Sequence, residues 1–156
     1  MKLRILCMGK TRERFIREGI QKYLKYLKPY VSIDMQELNE EKITNLKDAP
    51  TVRRKEAKKI IKSLPAGTFL AALDERGEEF TSHEFAGFLD GVLQSGVREA
   101  VFVIGGAMGL DEQVTGCARK VIAMSRWTLT HEMARLVFLE QLYRAFTILK
   151  GKPYHY

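Results

Sequence analysis

Between Ala100 and Leu110 the chain reads AVFVIGGAMGL, and no other stretch restricts its fold as strongly. Val101, Phe102, Val103 and Ile104 are an unbroken run of β-formers, the pattern of a strand buried on both faces of a parallel sheet. Gly105 and Gly106 follow at once, where a missing side chain lets the backbone turn tightly and approach a ligand. Gly109 permits a second bend, and Asp111 can cap a new helix by accepting from an unpaired N–H. Open α/β sheets bind ligands beyond the carboxyl ends of their strands, so a small-molecule site is expected here. The spacing alone equally fits a plain strand-to-helix turn.

The rest of the chain supplies the sheet. Leu3–Met8 reads as a strand, followed by a helix over about Arg12–Lys28 with the apolar stripe Phe15, Ile16, Ile20, Tyr23, Leu24 and Leu27. Alternation from Val31 to Leu38 predicts a half-buried strand, and Asn39–Pro50 a mobile polar loop. Thr51 can cap a helix to about Leu64. Thr68–Leu73 is a third strand, with Asp74–Glu79 read as a loop around Gly77. Ser82 can cap a helix that Gly96 stops; a short helix over Asp111–Val121 follows the glycine strand. Ile122–Leu129 reads as a short strand. This alternation predicts one α/β domain, residues 1–156, with a mostly parallel sheet and helices on both faces. The first strand lacks the G-x-G-x-x-G loop of a dinucleotide-binding domain.

Thr130 can cap a long last helix over about His131–Lys150, whose apolar residues, from Met133 to Leu149, surround almost the whole axis. Such a helix must be buried on more than one side. The sheet accounts for one side, and a second subunit is expected on the other, which predicts a homodimer. The tail Lys152–Tyr156 is aromatic enough to suggest that it docks.

Charge is lopsided. Residues 1–78 hold 18 of the 26 Lys/Arg and 11 of the 19 Asp/Glu, hence the whole net excess of +7. Arg53, Arg54, Lys55, Lys58, Lys59 and Lys62 form the densest basic patch, with Arg12, Arg14, Arg17, Lys22, Lys25 and Lys28 on the preceding helix. Faces of this kind suit RNA phosphates, although a merely solvated helix face reads the same way. No apolar run reaches the roughly 18 residues of a membrane span, and no export signal opens the chain. Cys7 and Cys117 have no metal-ligand spacing, so a cytoplasmic protein without metal is expected, with Cys7 a small core residue.

Three ordered motifs, IGGAMGL, WTLTHEMARLVFLEQLYRAF and a terminal PYH, together with the opening MKLRIL-x-x-GK, resemble the SPOUT-class methyltransferases of the RlmH family. The resemblance covers the whole chain and is strongest from Val101 to His155. It implies an α/β fold with a C-terminal trefoil knot, a homodimer, and S-adenosylmethionine as cofactor. It further implies N3 methylation of a pseudouridine in 23S large-subunit rRNA, on free rRNA or on the assembled ribosome. By motif, the cofactor pocket would include Leu73, Gly105, Met124, Ser125, Arg126, Trp127, Thr128 and Leu129. Leu73 and Leu129 also suit a core, and Trp127 could pack beneath the sheet. The family usually has proline where Thr130 stands, and a charged residue where Tyr156 stands.

The reaction needs nucleophile, methyl carbon and sulfur in line, and a group to accept or stabilise charge as the imide proton leaves. Candidates are His155, Tyr154, Arg144, Arg135 and His131, with His155 first; His83 reads as structural or solvated. Arg135 and Arg144, nine residues apart, leave the helix on opposite faces, so a dimer would have to unite them. Arg144 could also simply pair with Glu140 four residues back. Two other functions suit the same sequence: a SPOUT methyltransferase acting on another RNA such as tRNA, and a non-catalytic ribosome- or RNA-binding protein.

Overall fold

In the computed structural model, which describes residues 1–154, five strands form one parallel sheet in the order β2-β1-β4-β3-β5. They are β1 (Lys2–Met8), β2 (Ser32–Leu38), β3 (Phe69–Glu79), β4 (Glu99–Ile104) and β5 (Lys120–Ala123). Helices α1 (Arg14–Leu27), α2 (Ala49–Ser63), α3 (Ser82–Gln94), α4 (Glu112–Cys117) and α5 (His131–Leu149) cover it. Side chains of β1 alternate between two cores, as strand geometry requires. Leu3, Ile5 and Cys7 face the core of α1, α3 and α5, while Leu6 and Met8 face that of α2 and α4. The glycine strand β4 is central, and Val101, Phe102 and Val103 are wholly buried.

Several boundaries differ from the sequence reading. The segment Asp74–Glu79 is a continuation of β3, not a loop: beyond Leu73 the pairing with β5 shifts register, then resumes at Glu78 and Glu79. Its charges are compatible with a strand because Glu75, Arg76, Glu78 and Glu79 are exposed. Gly77 is required there, since a Cβ would lie 2.6 Å from the Val121 carbonyl carbon. The strand expected over Ile122–Leu129 is instead β5, ending at Ala123; Met124–Thr130 is loop. Helix α4 stops at Cys117, short of Val121. Helix α2 begins at Ala49, with Pro50 in its first turn, so Thr51 is not its cap. Thr81, not Ser82, caps α3, through a reciprocal capping box with Glu84. Asp111 and Thr130 do cap α4 and α5, accepting from Gln113 N at 2.9 Å and Met133 N at 3.2 Å.

Helix α5 buries one part of its apolar circumference within its own chain. It packs between α1 and α3 above the sheet, with Phe138, Leu139, Leu142, Ala145 and Phe146 buried. Met133, Leu136, Val137, Tyr143, Ile148 and Leu149 are only partly buried, so some of the apolar surface that led to the dimer expectation stays open to solvent. Phe15 also departs from the expected stripe of α1: it is 60 % exposed, whereas Ile16, Ile20 and Leu27 are buried.

Cys7 is buried as expected, and burial pushes its thiol up to about 12 despite the Arg135 cation nearby. Its thiolate fraction at pH 8 is then about 10⁻⁴. A thiol reagent at that pH should modify exposed Cys117 promptly and reach Cys7 only in denaturant. Two fast equivalents from the folded chain would contradict this packing.

Candidate active site

The carboxyl ends of β3, β4 and β5 open into a cleft of about 1320 Å³. Its floor is the glycine turn. An added Cβ on Gly105 would sit 2.8 Å from the Gly109 carbonyl carbon and 3.0 Å from its oxygen, so only glycine lets these backbones touch. Gly109, at φ +78, closes the turn by donating its N–H to Gly106 O at 3.0 Å. Gly106 is less confined, with the nearest atom to its virtual Cβ being Glu56 Oε2 at 3.4 Å.

Of the residues carried over for a cofactor pocket, Leu73, Gly105, Met124, Ser125, Trp127, Thr128 and Leu129 line the cleft. Arg126 does not. Its guanidinium turns to Glu79 Oε2 at 3.0 Å and Glu75 O at 3.4 Å. Thr128 Oγ1 donates to Glu75 Oε2 at 2.9 Å, so the 124–130 loop is strapped to the carboxyl end of β3. Within the loop, Trp127 N donates to Ser125 Oγ at 2.8 Å. The indole is 83 % exposed and does not pack beneath the sheet. Asp74 lines the cleft with its carboxyl held below the usual range, chiefly by the side-chain bond from Arg76 at 3.0 Å.

The catalytic candidates separate. His131 lines the cleft; burial, and then the Arg135 charge, lower its pKa. Arg135 is fully buried and takes no part in the cleft wall. It donates to Met8 O at 2.6 Å and Thr11 Oγ1 at 2.8 Å, and stands 3.6 Å from Glu37. This guanidinium ties α5 to the chain leaving β1. Arg144 is bonded to Glu140 at 2.6 Å, and the Tyr154 hydroxyl donates to the same carboxylate at 3.2 Å. Tyr154 stacks edge-on against Tyr143 with centroids 4.8 Å apart, so the tail docks as far as Tyr154, its last described residue. Burial, then a bond with Tyr23, push the Tyr154 phenol well above its ordinary range. Arg144 is thirteen residues after His131, about 20 Å along the helix, so one copy does not unite these groups. His155 lies outside the described residues.

Among the basic candidates, Arg53 and Arg54 line the cleft. Lys59 is held by Glu41 and by Asn39 O, both at 2.8 Å. Lys55, Lys58 and Lys62 are exposed on α2, away from the cleft wall.

Sequence reasoning missed two carboxylates. Glu132 accepts from Arg12 N at 2.6 Å and Glu13 N at 3.0 Å. A side chain of α5 thereby caps the start of α1, whose own N-cap, Glu13, makes no side-chain cap bond. Burial opposes its ionisation, but the Glu13 and Arg12 amide bonds outweigh it and lower its pKa. The clue was a helix start without Ser, Thr, Asp or Asn. Glu56, on the buried face of α2 with Val52 and Ile60, accepts from Glu41 N at 3.2 Å; burial raises its pKa. Its spacing of four from each of those apolar residues was the available signal.

Comparison with known proteins agrees with this geometry. Residues 1–155 match the family model described as "Predicted SPOUT methyltransferase". The chain is 42 % identical over 156 residues to a protein of Geotalea uraniireducens named ribosomal RNA large subunit methyltransferase H, covering all of both chains. It is 44 % identical over 156 residues to the protein of that name from Geotalea daltonii, again covering both completely. A solved structure, a probable methylase family protein from Haemophilus influenzae, superposes with a TM-score of 0.56 at 13 % identity. That match covers 99 % of this chain and 70 % of the other, and shows the likeness of fold alone. With a glycine-floored cleft at the strand ends and a family match over nearly its full length, the chain belongs to the SPOUT methyltransferases.

Proposed function

We propose that this chain methylates N3 of a pseudouridine in 23S large-subunit rRNA, using S-adenosylmethionine, and that it acts as a homodimer on the assembled ribosome in the cytoplasm. The observation that carries the reading is the full-length 42–44 % identity to large-subunit rRNA methyltransferases, joined to a cleft lined by the shared motifs. The chain is an RlmH-type rRNA methyltransferase by that homology.

The cleft suits S-adenosylmethionine. Leu73, Met124 and Leu129 offer apolar walls, and the 124–129 backbone and glycine turn offer amides and carbonyls for the polar edges. When bound, S-adenosylmethionine would supply an electrophilic methyl carbon on a sulfonium sulfur for N3 to displace, and the N3 proton would have to leave. His131, on the cleft wall, would take that proton within one copy. Arg144 and Tyr154 would serve the cleft only if a second copy presents them, which is the functional reason to expect a dimer; a role for His155 follows from the family resemblance alone. Arg53 and Arg54 would hold phosphates at the mouth, with Lys55, Lys58 and Lys62 extending the track. A single domain with a C-terminal trefoil knot is part of this proposal, as the family membership implies.

The test is calorimetric titration of the purified protein with S-adenosylmethionine, with sedimentation, followed by labelled methyl transfer to ribosomes, free 23S rRNA and tRNA. Binding by a dimer and label in 23S rRNA are expected. Label in tRNA instead would move the substrate. No cofactor binding, with ribosomes present or absent, would leave a protein that only binds RNA.

A further inference from the structure

The indole of Trp127 is 83 % exposed, which for the largest apolar side chain is an unstable disposition unless something covers it. Phe15, 60 % exposed at the start of α1, lines the same cleft. Two flat apolar faces thus stand at one opening, beside Arg53 and Arg54. Arg53 donates to Met108 O at 3.5 Å and Arg54 to Thr51 Oγ1 at 3.2 Å, so neither cation has a carboxylate partner among the described residues. The volume of about 1320 Å³ exceeds the roughly 300–1,000 Å³ of a pocket for one small ligand, which leaves space beside a cofactor.

We propose that Trp127, with Phe15, is a stacking platform for an unstacked base of the substrate RNA, and that it determines affinity for RNA rather than for cofactor. The inference rests on the rRNA methyltransferase reading. A methyl acceptor inside folded RNA must leave its stack to meet the methyl group, and an aromatic face replaces the stacking it loses. Aromatic faces flanked by unpaired arginines are the combination that binds single-stranded nucleic acid. The Trp127 backbone is fixed to the candidate cofactor wall by its N–H on Ser125 Oγ, while the residue as a whole is 83 % exposed. Replacing the side chain therefore spares that wall.

The chain has a single tryptophan, so its fluorescence reports on this position alone. Steady-state methyl transfer to unmodified ribosomes and unmodified 23S rRNA should be measured for the full-length wild type, Trp127→Leu and Trp127→Phe. Trp127→Leu is expected to raise KM for the accepting RNA roughly 5- to 100-fold, the span of one lost base–aromatic stack, with KM for cofactor unmoved. Trp127→Phe should restore most of the loss, because it keeps an aromatic face. Wild-type fluorescence should be little changed by cofactor alone or by dilution. An unchanged RNA KM in Trp127→Leu overturns the platform. So does a cofactor KM that rises in step, or strong quenching by cofactor alone, since either puts the indole on the cofactor. Fluorescence that follows protein concentration overturns it too, by placing a second copy over the ring. If the wild type transfers no methyl to either RNA, the function reading fails first, and the platform fails with it.

Discussion

Arg135→Ala is expected to destabilise the protein by about 3–5 kcal/mol, measured by urea unfolding at pH 7. The residue is fully buried, and its guanidinium is the partner of Met8 O and Thr11 Oγ1, with Glu37 3.6 Å away. Truncation leaves a buried carbonyl without its donor, at a cost of about 1–3 kcal/mol, and adds the cost of an unfilled cavity. Thr11 and Glu37 would keep their own bond, 2.6 Å from hydroxyl to carboxylate, which bounds the damage. Arg135→Met should cost less than alanine. It fills the space and removes a buried charge whose Nε has no hydrogen-bond partner, so the desolvation of that cation disappears with it. The ordering separates a structural arginine from a catalytic one: a group serving only chemistry would lose turnover with little change in unfolding. An alanine variant within about 1 kcal/mol of the wild type would sink the structural role.

How far the sequence could be read depends on whether the signal was local. β1, β4 and the capping residues Asp111 and Thr130 were legible because burial on both faces and cap chemistry each leave a short-range pattern. The β3 extension was not. DERGEE reads as loop, and only the meeting of Gly77 with the Val121 backbone reveals a strand. The same holds for Arg135 and Glu132, whose spacing on α5 says nothing of the β1 exit and the α1 start that they hold. Such roles are long-range, joining residues about 120 positions apart. Helix α5 was plain from its apolar circumference, but how much of it neighbours within the chain bury was not: Phe138, Leu139, Leu142, Ala145 and Phe146 are buried, whereas Met133, Leu136, Val137 and Tyr143 are only partly so. The candidate cofactor wall was placed by shared motifs, and all of it but Arg126 meets at the cleft. The catalytic candidates lie on α5 and in the tail after it, in regions as recognisable as that wall, but recognition of a motif does not say which end of a helix faces the cleft.

The glycine turn gives the second large effect. Gly105→Ala is expected to lower affinity for S-adenosylmethionine at least tenfold, while Gly106→Ala stays within a few-fold of the wild type. The two positions are adjacent and their substitutions chemically identical, so the contrast isolates geometry. At Gly105 the new methyl would meet the Gly109 carbonyl carbon at 2.8 Å, its oxygen at 3.0 Å and Leu110 Cγ at 3.1 Å. Two of these are backbone atoms, which can retreat only by opening the turn that Gly109 N closes on Gly106 O. Overpacking of this kind typically costs about 1–3 kcal/mol, and about 1.4 kcal/mol corresponds to tenfold in affinity if the displaced turn is the cofactor's floor. At Gly106 the nearest atoms are Glu56 Oε2 at 3.4 Å and Met8 Cβ at 3.5 Å, both side-chain atoms at about ordinary van der Waals distance. Gly105→Arg, which adds a long cation to the same clash, should abolish binding while sedimentation remains that of the wild type. Calorimetry on all three variants decides the matter. Equal losses at Gly105 and Gly106 would mean that the cofactor reads the whole loop loosely; undiminished binding by Gly105→Arg would remove the turn from the site.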